Sequence, residues 1–188
     1  AMLVPWAIPT VVSAQLWAWM LHDQYGVINE VLLALGVIDS RQAWLADRTL
    51  AMATVIAVDV WKTTPFMVLL LLAALQTVPV ELHEAARVDG AGAIRRFMVV
   101  TLPVIRPALL VAVIFRTLDA LRIFDLIYVM VGNASATATM AVYARQHMVD
   151  FQDAGYGSAA STLLFAVIVL ASALFITLGR LNAPPAAR

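Results

Sequence analysis

Apolar and charged positions divide the chain into long apolar stretches separated by shorter polar segments. The stretch Met2–Leu21 carries no charge until His22 and Asp23. Leu50–Leu75 is a second stretch, interrupted by Asp59, Lys62 and Pro65. Ala108–Val131 is a third and carries Arg116, Asp119, Arg122 and Asp125; Ser158–Leu178 is a fourth. Each reaches the length of about 20 residues that a helix needs to cross hydrocarbon. Together they fill roughly half of the chain. Open sheets cannot satisfy their edges in lipid, and the alternating strands of about ten residues that build a barrel are absent, so the spans are predicted to be helices. The expectation is an all-α integral membrane protein. Its spans near 2–21, 50–75, 108–131 and 158–178 form one polytopic helix bundle over residues 1–181, with about four spanning helices.

Composition agrees. The chain is 63% hydrophobic and 13% charged, against roughly 45–50% and about 25% in soluble domains. That richness in apolar residues excludes intrinsic disorder. With no Cys, a disulfide scaffold, thiol catalysis and thiolate metal sites are excluded. Twelve basic residues balance twelve acidic ones, which leaves no basic field for nucleic acid. The first stretch has no basic n-region and no small-residue cleavage site, unlike a signal peptide. It begins almost at the first residue, so a missing upstream segment is expected. The tail 182–188 contains Pro184-Pro185 and is expected to fray.

Orientation follows from the Lys/Arg bias of short loops. Arg87, Arg95, Arg96 and Arg106 lie in the segment 76–106, and Arg180 and Arg188 lie near the end. Arg41, Arg48 and Arg145 lie in the loops of the other side. The excess places the loop 76–106 and the tail in the cytoplasm. Within that loop, Glu81–Gly90 reads as a short helix with a stop. Glu81 and Glu84 sit in its early turns, where the helix dipole favours acids. Gly90 can take the left-handed conformation that ends a helix. A second short helix is predicted over Ala93–Val100, before Leu102-Pro103 and Pro107 break the chain. Ala85 and Ala86 are too small to fill a core. They suit either a docking helix that another surface approaches closely or an amphipathic helix lying on the membrane.

Glu84-Ala85-Ala86, then Gly90, then Val100-Thr101-Leu102-Pro103 resembles the EAA loop of the membrane subunits of binding-protein-dependent ABC importers. The flanking Asp89 and Phe97 strengthen the likeness, and Val100 stands where that family usually has Ile. Gly26–Asn29, Trp44-Leu45, Trp61–Phe66, Leu72–Leu75, Phe115–Asp125 and Gly155–Ala159 are similar to segments of its carbohydrate group, the maltose and trehalose permeases. Gly132-Asn133-Ala134 replaces a turn that is often Gly-Gly-Pro. The family usually has six spans, of which these look like the last four.

The resemblance implies a subunit of the type I importer kind in a bacterial inner membrane. Glu84, Ala85, Ala86, Asp89, Gly90, Leu102 and Pro103 would couple it to a cytoplasmic ABC ATPase that binds ATP and Mg²⁺. A second permease subunit, making a heterodimer, and an external solute-binding protein would complete the assembly. The chain itself would be no enzyme and would bind no cofactor. It has no GxxxxGK[ST] phosphate loop, no HExxH context for His22, His83 or His147, and no nucleophile-elbow pattern. Asn133-Ala134-Ser135 matches a glycosylation acceptor, read as chance in a protein of bacterial type.

The charges within the spans are expected to pair, snorkel or line a water-filled path, since each costs about 2.5–3.5 kcal/mol at a helix centre. Arg116, Asp119, Arg122 and Asp125 recur every third position, and predict either an ion ladder between helices or a polar stripe along the path. Asp59 and Lys62 have the same spacing and are expected to pair. Aligning the motifs with maltose-type permeases puts the sugar contacts at Lys62, Thr63, Phe66 and Arg116, with Asp119 on the same stripe. Two further polar contact positions of that family fall on Ala120 and Ile123. The implied solute is a sugar, of the trehalose or maltose kind. The alternatives are a non-sugar solute such as a polyamine or glycerol phosphate, and an ion-coupled secondary transporter.

Overall fold

A computed structural model describes residues 3–134 and 137–181. The predicted tail 182–188, and Ser135 of the acceptor triplet, lie outside the described residues. Every regular element among the described residues is helical. The chain divides into two compact units, Ala1–Pro65 with Arg122–Val167 and Phe66–Leu121 with Ile168–Arg188.

The first unit opens with α1 (Val4–Ala7) and α2 (Thr10–Met20). The stretch 2–21 is therefore not one spanning helix. Pro9 has no N–H to donate and forces the residue before it out of the helical region; Ile8 is extended, with ψ 134°. The 11 residues of α2 reach about 16 Å, half of the roughly 30 Å hydrocarbon core. Next come α3 (Val27–Ala34) and α4 (Arg48–Leu75). Ala51, Val55 and Val58 of α4 are buried, the spacing of one helical face. α8 (Asp125–Val131) lies against α2. Ala14 of α2 packs in one core with Leu126, Ile127 and Met130 of α8, with Val55 and Val58, and with Val142 of α9 (Met140–Arg145). A π-helical turn, Gln146–Asp150, follows α9 and leads to α10 (Ala154–Leu181).

The second unit takes up α4 beyond Pro65 and continues with α5 (Val80–Val88), α6 (Ala93–Arg96), a π-helical turn over Phe97–Thr101, and α7 (Leu102–Leu121). The predicted break at Leu102-Pro103 does not occur. Residues Ala93–Leu121 run as one helical stretch of 29 residues. Pro103 cannot donate back along the helix. The π turn widens the helix just before it, with the Leu102 N–H bonded to the Phe97 carbonyl, so the chain passes the ring without stopping.

Among the described residues, three helices are long and apolar enough to cross a membrane, Arg48–Leu75, Ala93–Leu121 and the part Ala154–Thr177 of α10. The predicted span 108–131 is thus shifted: α7 ends at Leu121, and Arg122–Phe124 separates it from α8. The Ile123 carbonyl accepts from the Thr139 hydroxyl at 3.1 Å, and Phe124, at φ −134° and ψ −64°, stands outside the helical region. The four-charge stripe is interrupted for the same reason. Arg116 and Asp119 remain on α7, while Asp125 opens α8, at the end favourable to an acid. The long helices bury little of their apolar surface within the chain. Only 6% of the most apolar window of α10 is covered, which leaves its Leu and Phe side chains to lipid or to another subunit.

Candidate functional site

The loop 76–106 carries the sharpest local geometry. α5 has Glu81 in its first turn and Arg87 in its last, the order the helix dipole favours. Glu84, Ala85 and Asp89 are exposed and Ala86 is half-buried. The helix stops at Gly90, whose φ is +75°. The Gly90 N–H donates to the Arg87 carbonyl at 3.0 Å and the Ala91 N–H to the Ala86 carbonyl at 2.9 Å. This is the paired closure of a Schellman motif, which satisfies the carbonyls that the helix end orphans. A Cβ built on Gly90 meets nothing within 4 Å. Glycine is therefore required by backbone conformation and not by crowding within the chain.

After this stop, α5 packs against α6 and the π turn. Leu102 and Pro103 form the start of α7 directly after that turn, so the two halves of the motif are held in one unit. Val88 and Ile94 are 88% and 80% exposed. The loop thus leaves two large apolar side chains uncovered beside small alanines and acids.

The residues aligned with sugar contacts divide between the units. In the first unit, Lys62 donates from Nζ to the Ile8 carbonyl at 2.7 Å. That carbonyl ends α1, so the ammonium caps a helix C-terminus across the break made by Pro9. Thr63 donates its hydroxyl to the Asp59 carbonyl at 2.7 Å and Thr64 to that of Val60 at 2.6 Å, back-bonds of the kind that bend helices. In the second unit, Phe66 lies against Phe115, with ring centroids 5.3 Å apart and planes tilted by 42°. Arg116 Nη1 reaches Asp119 Oδ2 at 3.3 Å, so the expected alternation of sign does make a pair here.

The geometry also brings out residues whose roles spacing alone did not reveal. Asn29 is 1% exposed and uses both ends of its amide. Its Nδ2 donates to the carbonyls of Asp23 at 3.2 Å and Gln42 at 3.0 Å, while its Oδ1 accepts from the Gln42 N–H at 3.1 Å and from Trp44 Nε1 at 2.9 Å. This one side chain fastens the segment before α3 to the segment before α4. Gly157 is the second such position. A Cβ there would lie 2.5 Å from Met148 Cγ, 2.9 Å from the Met148 nitrogen and 3.0 Å from the Ala144 carbonyl, so α10 meets the second π turn only because residue 157 has no side chain.

Among the described residues, wholly helical regular structure with three long apolar helices and a capped loop helix between two of them defines a polytopic membrane protein. The chain belongs to the family of binding-protein-dependent transport system inner membrane components, which it matches over residues 1–182. It is 44% identical over 180 residues to the trehalose/maltose transport system permease protein MalF of Thermococcus litoralis, covering 95% of this chain and 60% of that one. It is 43% identical over 182 residues to the sulfoquinovosyl glycerol transport system permease protein SmoG of Agrobacterium fabrum, covering 96% and 58%. To the trehalose transport system permease protein SugA of Mycobacterium tuberculosis it is 41% identical, covering 98% and 58%. The chain thus spans about three-fifths of the length of these relatives. Its fold is that of a bacterial ABC transporter involved in the import of the acidic polysaccharide alginate, with a TM-score of 0.87 over 96% of this chain and 64% of that one at 23% identity.

Proposed function

We propose that this chain is a membrane-spanning subunit of an ATP-driven importer in a bacterial inner membrane, and that it forms part of the path for a sugar, a disaccharide of the trehalose or maltose kind. Family membership over residues 1–182 carries this reading. The names of two relatives above 40% identity support the solute class. In this reading the loop 76–106 faces the cytoplasm. Glu84, Ala85, Ala86, Asp89, Gly90, Leu102 and Pro103 seat it on an ABC ATPase, which binds ATP and Mg²⁺ in place of this chain. A second permease subunit covers exposed apolar faces of the long helices, and an external binding protein delivers the solute. Lys62, Thr63, Phe66, Arg116 and Asp119 contribute to the path, where the aromatic ring suits the C–H face of a sugar and the polar groups its hydroxyls.

A second reading, an acidic glycoside as solute, is favoured by the relative named for sulfoquinovosyl glycerol and by the cations Lys62 and Arg116. One experiment separates the two. The complete transporter is reconstituted in liposomes and uptake of trehalose, maltose and sulfoquinovosyl glycerol is compared. Phe66→Ala and Arg116→Ala should lower uptake with assembly intact. Loss at Arg116 should be greater for an acidic solute than for a neutral one. Normal uptake of every sugar by both variants would remove these residues from the path, and ATP-independent uptake would remove the importer reading.

A further inference from the structure

A cavity of about 280 Å³ lies in the first unit, where the end of α2, the segment before α4 and the end of α8 come together. That volume falls just under the roughly 300–1,000 Å³ of small-molecule pockets, and so suits a single ring. The wall combines apolar surface from Leu21, Trp44 and Met130 with the polar groups of His22 and Asp23, and the exposed Ala46 also lines it. Ala46 stands just before α4, whose other end leads into the loop 76–106. In the importer reading that loop is cytoplasmic, so the cavity belongs to the external end of the chain.

Two sides of this cavity are held by one buried amide. Trp44 Nε1 donates to Asn29 Oδ1 at 2.9 Å, so the indole has only hydrocarbon and π surface left to offer the cavity. Asn29 Nδ2 donates to the Asp23 carbonyl at 3.2 Å, which places the acidic side as well. His22 stacks on Tyr25, with ring centroids 3.7 Å apart and planes 14° from parallel. Its Nδ1 accepts from the Gln24 N–H at 3.2 Å. A neutral imidazole that accepts at Nδ1 carries its hydrogen on Nε2, and has none to give Asp23 Oδ1, which lies 3.0 Å from Nδ1. Among the described residues no other donor reaches the Asp23 carboxylate. The cavity thus sets a fixed aromatic wall beside a carboxylate with acceptor capacity to spare. An anion would be repelled there, and a plain hydrocarbon would leave the carboxylate unsatisfied. A polyhydroxylated ring meets both demands, with C–H groups on the indole and a hydroxyl making a charge-assisted bond to Asp23.

We infer that this cavity is a second sugar site, an external holding site in which one ring of the solute rests on Trp44 and bonds to Asp23, apart from the path residues Phe66 and Arg116. The inference deepens the importer reading and rests on it. The test uses the complete transporter in lipid nanodiscs, where both faces meet solution, and follows modification of Ala46→Cys by a charged thiol reagent. The chain has no native Cys, so the mass of this chain reports that position alone. Trehalose or maltose should slow the modification by the factor one plus the ratio of sugar concentration to Kd, about tenfold at about nine times Kd. Ser40→Cys, outside the cavity, should react at one rate with and without sugar. Asp23→Asn in the Ala46→Cys chain should raise the half-protecting concentration about three- to tenfold, through loss of one charge-assisted hydrogen bond. Absence of protection at Ala46→Cys overturns the site. So does equal protection at Ser40→Cys, which would reflect a general change of the external segments, and so does protection by choline but by neither sugar, which would make the cavity a cation site. An unchanged half-protecting concentration in Asp23→Asn overturns the part given to the carboxylate. Uptake by the wild-type complex keeps the two readings apart: ATP-driven sugar uptake without protection removes the holding site alone, whereas a complex that imports no sugar removes the importer reading and the site with it.

Discussion

Gly90 offers the most direct link between a backbone angle and coupling. Its φ of +75° lies in the left-handed region, which costs an L-residue roughly 1–2 kcal/mol. A Cβ there meets nothing within 4 Å, so the substitution cost within the chain is conformational alone. For Gly90→Ala that shifts the ratio of capped to uncapped loop by a factor of about 5–30. Gly90→Val should be worse, since a β-branched residue is a genuine outlier at positive φ, and Gly90→Asn should be mildest, since Asn tolerates this region. The assay is ATP hydrolysis stimulated by the solute-loaded binding protein in the reconstituted complex. The expected order of stimulation is Gly, then Asn, then Ala, then Val. If Asn failed as badly as Val, the requirement would be close approach of the ATPase to residue 90 and not the backbone angle. If Val were normal, the cap would have no part in coupling.

Asn29→Ala should destabilise the protein by about 2–4 kcal/mol, because the four hydrogen bonds of a buried amide are lost; limited proteolysis of the segment between α2 and α4 should accelerate, and an unchanged rate would argue that water replaces the amide. Gly157→Ala should cost about 1–3 kcal/mol through overpacking against backbone atoms, whereas Gly155→Ala, whose Cβ meets only Asp153 Oδ1 at 3.6 Å, should be tolerated in the same thermal-unfolding measurement. The Asp47 carboxyl is held below its ordinary value by the Thr49 hydroxyl and then by the N–H groups of Leu50 and Thr49, so its cap on α4 is complete above the unfolded-chain value and is lost as pH falls through the lower folded one. The difference in melting temperature between wild type and Asp47→Ala should be constant above about pH 4 and disappear only as pH falls through the lower folded value; a difference that grew on acidification would reverse the sign of the linkage. In a chain without native Cys, Ala91→Cys should resist an impermeant thiol reagent outside intact cells while Ser40→Cys reacts, and the opposite pattern would invert the orientation.

Local chemistry made part of this protein legible in its residues. A 63% hydrophobic chain has to place most of its surface in lipid or against other helices, so the helical membrane class follows without knowledge of any contact. The stop at Gly90 was legible too, because a left-handed cap depends on the residue that occupies it and on its immediate neighbours. The limits of the helices were not legible. Hydropathy averages over a window and runs straight through Ile8-Pro9 and Arg122–Phe124, where a proline bends the chain in one case and the backbone leaves the helix at Phe124 in the other. Pro103 misled in the opposite direction, because a π turn absorbs what a regular helix could not. The partners of the polar side chains were the least accessible of all. The spacing of Lys62 gave no sign that its ammonium reaches a carbonyl 54 residues away. Asn29 binds partners 6, 13 and 15 positions away. Such bonds join positions with no fixed interval along the chain, so only the tertiary fold could select them.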